Sequence, residues 1–270
     1  MTKEFNIALL TSTSLRHCFM ANKLSEEFNL KLIVQEEKGN ESQYVGKNEE
    51  DTEQLQKHFN SLKQSEARFF SDKSSWPNGS NRVSVKRGQL NTVDILNILK
   101  ESQIDAIAVF GCGIIGKEII KEFKGRLINS HQGISPFYRG SATNFWPFVN
   151  NEIQYIGVTM HFIDEGIDTG NIICHAQPPI DSDDTMHDIG CKVIIETARL
   201  YCEIFNHLKV GNQIKQFSQE TKGKLYQRKD FNAEVVRIAN NNIKNGVIKH
   251  FIENKSLHDS EFIVPLSIIK

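Results

Sequence analysis

Three side chains of complementary chemistry lie close together in this chain: Asn129 and His131 in Asn-Ser-His, and Asp168 in the run Asp164-Glu-Gly-Ile-Asp-Thr-Gly170. A carboxamide donates a hydrogen bond without titrating, an imidazole gains or loses a proton near neutrality, and a carboxylate orients the imidazole or accepts a proton itself. These are the parts needed to pass an acyl group to a primary amine, a reaction that builds negative charge on oxygen and releases a proton from nitrogen. A histidine held protonated by the nearby carboxylate would add a charged donor, and no serine or cysteine nucleophile is required. Singly, each residue has an ordinary structural use, a strand-end hydrogen bond or a turn. Their joint occurrence carries the reading.

The elements around them must bring the three together. Asn129 and His131 are two apart at a strand end and so share one face, while Asp168 sits at the tip of a hairpin between β-rich runs at 155–163 and 172–176. Upstream, a compact apolar strand at 5–10 ends in Thr11-Ser12-Thr13-Ser14 and leads into a helix at 15–27. Strands at 30–34, 83–85, 107–110 and 127–129 alternate with helices at 49–66 and 93–99, and residues 67–81 read as loop from their breaker content. The alternation predicts an α/β fold of Rossmann-like type, with a mostly parallel sheet extended by the antiparallel hairpin. A long helix over 184–208 closes this unit. Beyond 211 the chain turns polar, with helical patterns near 233–254, giving an expected catalytic domain at 1–210 and a small C-terminal extension at 211–270.

Composition narrows the function classes. In 270 residues the formal net charge is −1, which supplies no field to gather a nucleic acid. The five cysteines form neither a C-x-x-C pair nor a zinc set and read as thiols of a reducing compartment. The N-terminus has no secretory pattern and no apolar run is long enough to span a bilayer, so the expected location is cytoplasmic, without membrane association. No metal is implied, since His161 and His175 stand without a ligand set.

Gly111-Cys-Gly-Ile-Ile-Gly116 fits G-x-G-x-x-G after a strand and before a helix. The dinucleotide reading fails its second half: the next strand ends in Asn-Ser-His, with no acid to hold a ribose hydroxyl. The run reads better as a backbone-lined groove whose free N–H and C=O groups face a flat heterocycle, with Ile114 and Ile115 covering it.

Taken in order, the strand, Asn-x-His, the Ser-Pro-Phe-Tyr-Arg-Gly loop, Gly157-Val-Thr-Met-His161 and Asp164-x-Gly-x-Asp-x-Gly170 resemble the folate-dependent formyltransferases, which move a formyl group from N10-formyltetrahydrofolate to an amine. The resemblance covers roughly 104–180. It implies that Asn129, His131 and Asp168 are the catalytic trio. It also implies that Phe110, Cys112, Gly113, Ile114 and Ile115, with Phe162, Asp164, Glu165 and Gly166, clamp the pterin. The variant His131-Gln-Gly-Ile-Ser-Pro-Phe-Tyr-Arg-Gly140 is most similar to sugar N-formyltransferases of surface-polysaccharide (lipopolysaccharide) biosynthesis. The expected acceptor is a nucleotide-linked amino deoxysugar. Ser12, Thr13, Ser14 and Arg16 would serve its phosphates, and Tyr138 and Arg139 would face it. The polar segment at 37–80 and the extension would give room for the nucleotide. Homodimer formation, the identity of the sugar and the position of its amine stay open. The alternatives are a glycinamide ribonucleotide formyltransferase, a catalytically silent nucleotide-binding protein and, far behind, a nicotinamide dehydrogenase.

Overall fold

The computed structural model describes residues 4–37, 46–219, 223–254 and 262–269; the part of the polar segment at 38–45, and 220–222, 255–261 and 270 of the extension, lie outside the described residues. A seven-stranded sheet forms the centre, built from β1 (Asn6–Thr11), β2 (Asn29–Glu36), β3 (Asn81–Val85), β4 (Ala106–Val109), β5 (Leu127–His131), β7 (Val158–Phe162) and β8 (Ile172–Ala176). Their spatial order is β3-β2-β1-β4-β5-β7-β8, with the first five parallel and β7 antiparallel to both its neighbours, β5 and β8. The Rossmann-like α/β architecture and its antiparallel hairpin are therefore as the sequence predicts.

The inner strands are apolar without interruption because both faces are covered. Ile7 and Leu9 of β1 pack with α1 (Leu15–Glu27), α2 (Glu49–Phe70) and α6 (Met186–Lys209). Ala8 and Leu10 pack on the opposite face with α3 (Val93–Glu101) and α4 (Lys117–Glu122). The order of strand addition reverses at β1, which is followed by β2 and β3 on one side and by β4 and β5 on the other. That switch point opens a crevice beyond the carboxyl ends of the strands, where such sheets place their ligands. Thr11 and the loop after β4 meet there: the Thr11 hydroxyl donates to the Phe110 carbonyl at 2.9 Å and receives His17 Nδ1 at 2.8 Å.

The structure departs from the sequence expectation at 67–81. α2 runs on to Phe70 and a short 3-10 turn follows at Ser71–Lys73. Phe70 is fully buried, its ring centroid 4.6 Å from that of Phe19, so a tertiary contact prolongs a helix that the local polar pattern would end.

The region after 211 packs closely on the core. β10 (Lys224–Tyr226) pairs in parallel with β6 (Tyr138–Gly140), and β11 (Ile268–Ile269) pairs with β9 (Gln213–Ile214). α7 (Ala233–Lys244) lies on α2 and on α5 (Trp146–Asn150), with Asn242 Nδ2 donating to the carbonyls of Phe148 and Val149 at 2.9 and 3.0 Å. α8 (Val247–Glu253) follows. Among the described residues no helix is long and apolar enough to cross a membrane.

One buried tyrosine ties α6 to β4 and β5. Tyr201 is fully buried, and its hydroxyl lies 2.7 Å from the Val109 carbonyl and 3.2 Å from that of Ile128. Tyr201→Phe keeps the volume but strands a buried acceptor, so it should lower unfolding free energy by about 1–3 kcal/mol. A denaturant midpoint lowered without a change of slope is the expected result.

Candidate active site

Asn129 and His131 end β5, Gly140 ends β6, and Asp168 stands in the turn between β7 and β8 with φ 51. Aspartate is among the few residues that accept this left-handed conformation readily. His131 is 5% exposed; its Nε2 donates to the Tyr138 carbonyl at 2.8 Å, and its Nδ1 lies 3.3 Å from Asp168 Oδ2. The same oxygen accepts the Gly140 N–H at 3.0 Å. His161 of β7 completes the group. Its Nδ1 donates to the Phe162 carbonyl at 2.9 Å, which leaves Nε2 to accept the Asn129 amide at 2.9 Å, and Asp168 Oδ1 lies 3.8 Å away. Asn129 keeps its second amide hydrogen at the junction of two cavities.

Burial alone would raise the Asp168 carboxyl, but His131, His161 and the Gly140 N–H outweigh it and hold it down to about 2. For His131, burial pushes the imidazole below its ordinary value against the opposing pull of Asp168 and the Tyr138 carbonyl. At 3.3 Å from Asp168 Oδ2, Nδ1 is placed to share a proton with the carboxylate.

One cavity, about 460 Å³, lies between Cys112, Gly113, Ile114 and Ile115 on one side and Ile163, Asp164, Gly166 and Ile167 on the other, with Leu225 and Tyr226 closing a third. A second, about 440 Å³, is framed by Arg16, Leu62 and Glu66, by Thr143 to Phe145, and by Gly190, Cys191 and Ile194 of α6. Cys112, Asn129 and Gly140 line both.

Of the residues expected to clamp the pterin, Cys112 to Ile115, Asp164 and Gly166 line the first cavity, and Phe110, Phe162 and Glu165 do not. Phe110 is 2% exposed and lies beside His17, Phe162 packs into the core, and Glu165 pairs with Lys117 at 2.8 Å on the rim. The 111–116 backbone is less free than expected as well. Glu36, at the end of β2, accepts the N–H of Gly113 at 2.6 Å and of Gly88 at 2.8 Å, and Asn91 accepts that of Gly116 and donates to the Ile114 carbonyl. A Cβ on residue 113 would come within 2.7 Å of that carboxylate, which accounts for the glycine.

Among the acceptor candidates, Arg16 lines the second cavity but is bonded to Glu66. Ser12 is buried, its hydroxyl and that of Ser14 have no hydrogen-bond partner among the described residues, and Thr13 is exposed. Tyr138 faces away from both cavities: its ring is 1% exposed and its hydroxyl meets Glu152 and Asn150. Arg139 donates to the Ile167 carbonyl at 2.7 Å and so braces the Asp168 turn. Sequence reasoning missed Glu66, Tyr226 and the part played by His161. Only His161 carried a signal, by sharing β-strand alternation and the Gly-Val-Thr-x-His run.

A switch-point crevice with an Asn, two His and an Asp at the meeting of two cavities defines a group-transfer fold. The family described as Formyl transferase matches residues 25–204, and the chain belongs to it. Methionyl-tRNA formyltransferase of Nostoc sp. is 30% identical over 173 residues, covering 62% of this chain and 50% of that protein. That of Gloeothece citriformis is 35% identical over 140 residues, covering 50% and 42%. The chain spans about half or less of the length of the curated relatives it matches. Among solved structures, phosphoribosylglycinamide formyltransferase from Anaplasma phagocytophilum superposes with a TM-score of 0.56 at 16% identity, covering 84% of this chain and 100% of that one. A sugar N-formyltransferase from Shewanella sp. gives 0.53 at 18%, covering 84% and 78%. At these identities the likeness is one of fold.

A carboxyl held low in the folded state adds stability that is complete above its unfolded value near 4 and is lost as pH falls toward 2. For Asp168, lowered to about 2, that share is on the order of 2 kcal/mol. Asp168→Asn should therefore flatten the acid limb of stability between pH 4 and 2, read from denaturant midpoints across that range.

Proposed function

We propose that this protein transfers a formyl group from N10-formyltetrahydrofolate to the primary amine of a nucleotide-linked amino deoxysugar, in the synthesis of a surface polysaccharide. The observation that carries the reading is the meeting of two cavities at Asn129, with Asp168 lining one and His131 the other. Two substrates approach one reaction point from separate sides, as a group transfer requires.

The first cavity suits the folate. Its walls are apolar at Ile114, Ile115, Ile163 and Ile167, with a few backbone and carboxylate groups placed between them, the pattern of a site for a flat heterocycle. Bound there, the folate supplies an activated formyl carbon. The remaining work falls to the protein. Asn129 donates its free amide hydrogen to the oxygen on which charge develops. Asp168, ionised, takes the proton released as the amine nitrogen bonds to carbon. His131, whose Nδ1 lies 3.3 Å from that carboxylate, shares the proton and sets positive charge beside the oxyanion. The proton then leaves with the folate nitrogen when its bond to carbon breaks.

The second cavity suits the acceptor. The N-terminus of α1, where backbone N–H groups favour anions, lies beside Arg16 of this cavity and supports phosphate binding on that side. The near-neutral chain argues against a tRNA acceptor, and the His131-to-Gly140 variant against glycinamide ribonucleotide.

Asn129→Ala and Asp168→Asn should each cut turnover by about 10²–10³ in folded protein; retention of more than a tenth of wild-type kcat by either would remove its assigned role. Calorimetry should show a folate analogue binding with micromolar or tighter Kd and no comparable binding of a nicotinamide dinucleotide. Turnover of amino-sugar nucleotides, glycinamide ribonucleotide and charged initiator tRNA under one condition identifies the acceptor, and a preference for either of the last two would overturn the sugar reading.

A further inference from the structure

The acceptor cavity contains a charged pair that the transfer chemistry leaves unused. Glu66 of α2 is 5% exposed, and its Oε1 accepts a hydrogen bond from Nη1 of Arg16, which is itself mostly covered; both line the cavity. Desolvating a carboxylate is costly, and an arginine meant only to hold an anion is weakened by an acid against it. The pair therefore makes this wall neutral overall, and a phosphate placed there would meet the Glu66 carboxylate.

What the wall does offer is hydrogen-bonding capacity. A guanidinium has five N–H donors and a carboxylate about four acceptor sites, and the contact between them uses little of either. Neighbouring polar groups are already engaged. Gln132 donates to Thr197 Oγ1 at 3.1 Å, Thr143 donates to the Gln132 carbonyl, and Asn144 bonds both the N–H and the carbonyl of Gly157 at 2.9 Å. Donor and acceptor capacity side by side on a rigid, neutral wall matches neighbouring hydroxyls of a sugar ring, each of which donates and accepts.

We propose that the Arg16–Glu66 pair is the sugar-reading element of the acceptor cavity: Glu66 accepts from ring hydroxyls, Arg16 donates to them, and the acceptor's anionic groups lie off this wall. The inference rests on the sugar-acceptor reading above and specifies it, changing Arg16 from a phosphate ligand into half of a hydroxyl-binding pair. α2 places the carboxylate there, and its position is held from behind by Asp188, which accepts from Ser65 Oγ at 2.7 Å and pairs with Arg68.

The test uses the wild-type protein, Glu66→Gln, and the best amino-sugar nucleotide beside its singly deoxygenated analogues. Loss of a hydrogen bond to a charged group should raise the acceptor KM by about 10- to 100-fold in Glu66→Gln, while kcat and the folate Kd stay within about twofold. The folate Kd also reports that the variant is folded. In wild type at least one deoxygenated analogue should show a KM rise of the same size, and that analogue should lose little more on Glu66→Gln, because both changes delete one contact. Two outcomes overturn the proposal: every deoxygenated acceptor within about twofold of its parent on the wild-type protein, a result that needs no variant to fold, or losses from variant and analogue that simply multiply. Wild-type protein that ignores amino-sugar nucleotides but uses glycinamide ribonucleotide would instead sink the sugar reading itself, a failure distinct from poor hydroxyl selectivity in a working sugar enzyme.

Discussion

The site depends on keeping one carboxylate ionised where water scarcely reaches. Asp168 is largely covered, its side chain 14% exposed, and a charge so placed is stable only when its lone pairs are met. Its surroundings supply that: the Gly140 N–H, His131 and His161 lie around the two oxygens, and the left-handed backbone turns the side chain inward. The turn is braced from outside by Arg139 on the Ile167 carbonyl and by Gln219, whose amide reaches the carbonyls of Asp168 and Gly170 at 3.0 and 2.7 Å. Each histidine is in turn fixed by a backbone carbonyl, which settles which nitrogen carries hydrogen.

That constraint gives the region after 211 a role in the site. Tyr226 of β10 stacks on Trp146 at 4.3 Å and lies parallel to Tyr138 at 5.7 Å, while Asn150 donates to both tyrosine hydroxyls. The stack docks β10 on β6, the strand whose last residue, Gly140, feeds its N–H to Asp168. Gly140 has φ +93, and a Cβ there would come within 2.2 Å of the Tyr226 carbonyl. Two independent demands, a left-handed backbone and a close strand approach, thus fall on the residue that holds the carboxylate.

The walls on either side are equally prepared. Glu36 and Asn91 occupy the loop N–H groups that a dinucleotide would need, so the G-x-G-x-x-G run forms a rigid surface instead of a phosphate cradle. On the other side, the pairing of Arg16 with Glu66 removes a net charge that the sequence appeared to offer. In both places a carboxylate from a distant element decides what a conspicuous local motif can do.

Much of this architecture was legible in the residues alone. Apolar runs covered on both faces, helical spacing and the hairpin's turn residues prescribe the order of strands and helices through local periodicity, and the Asn-x-His and Asp-x-Gly-x-Asp-x-Gly runs carry enough chemistry to locate the reaction centre. The extent of α2 was not legible, because burial of Phe70 against Phe19 outweighs a polar local pattern. Nor was the orientation of Tyr138 or the partner of Arg16. Those depend on burial and on which groups from far along the chain come to face one another. Charge and hydrogen-bond capacity are properties of a side chain, but whether they remain available is set by neighbours that only the folded chain assembles.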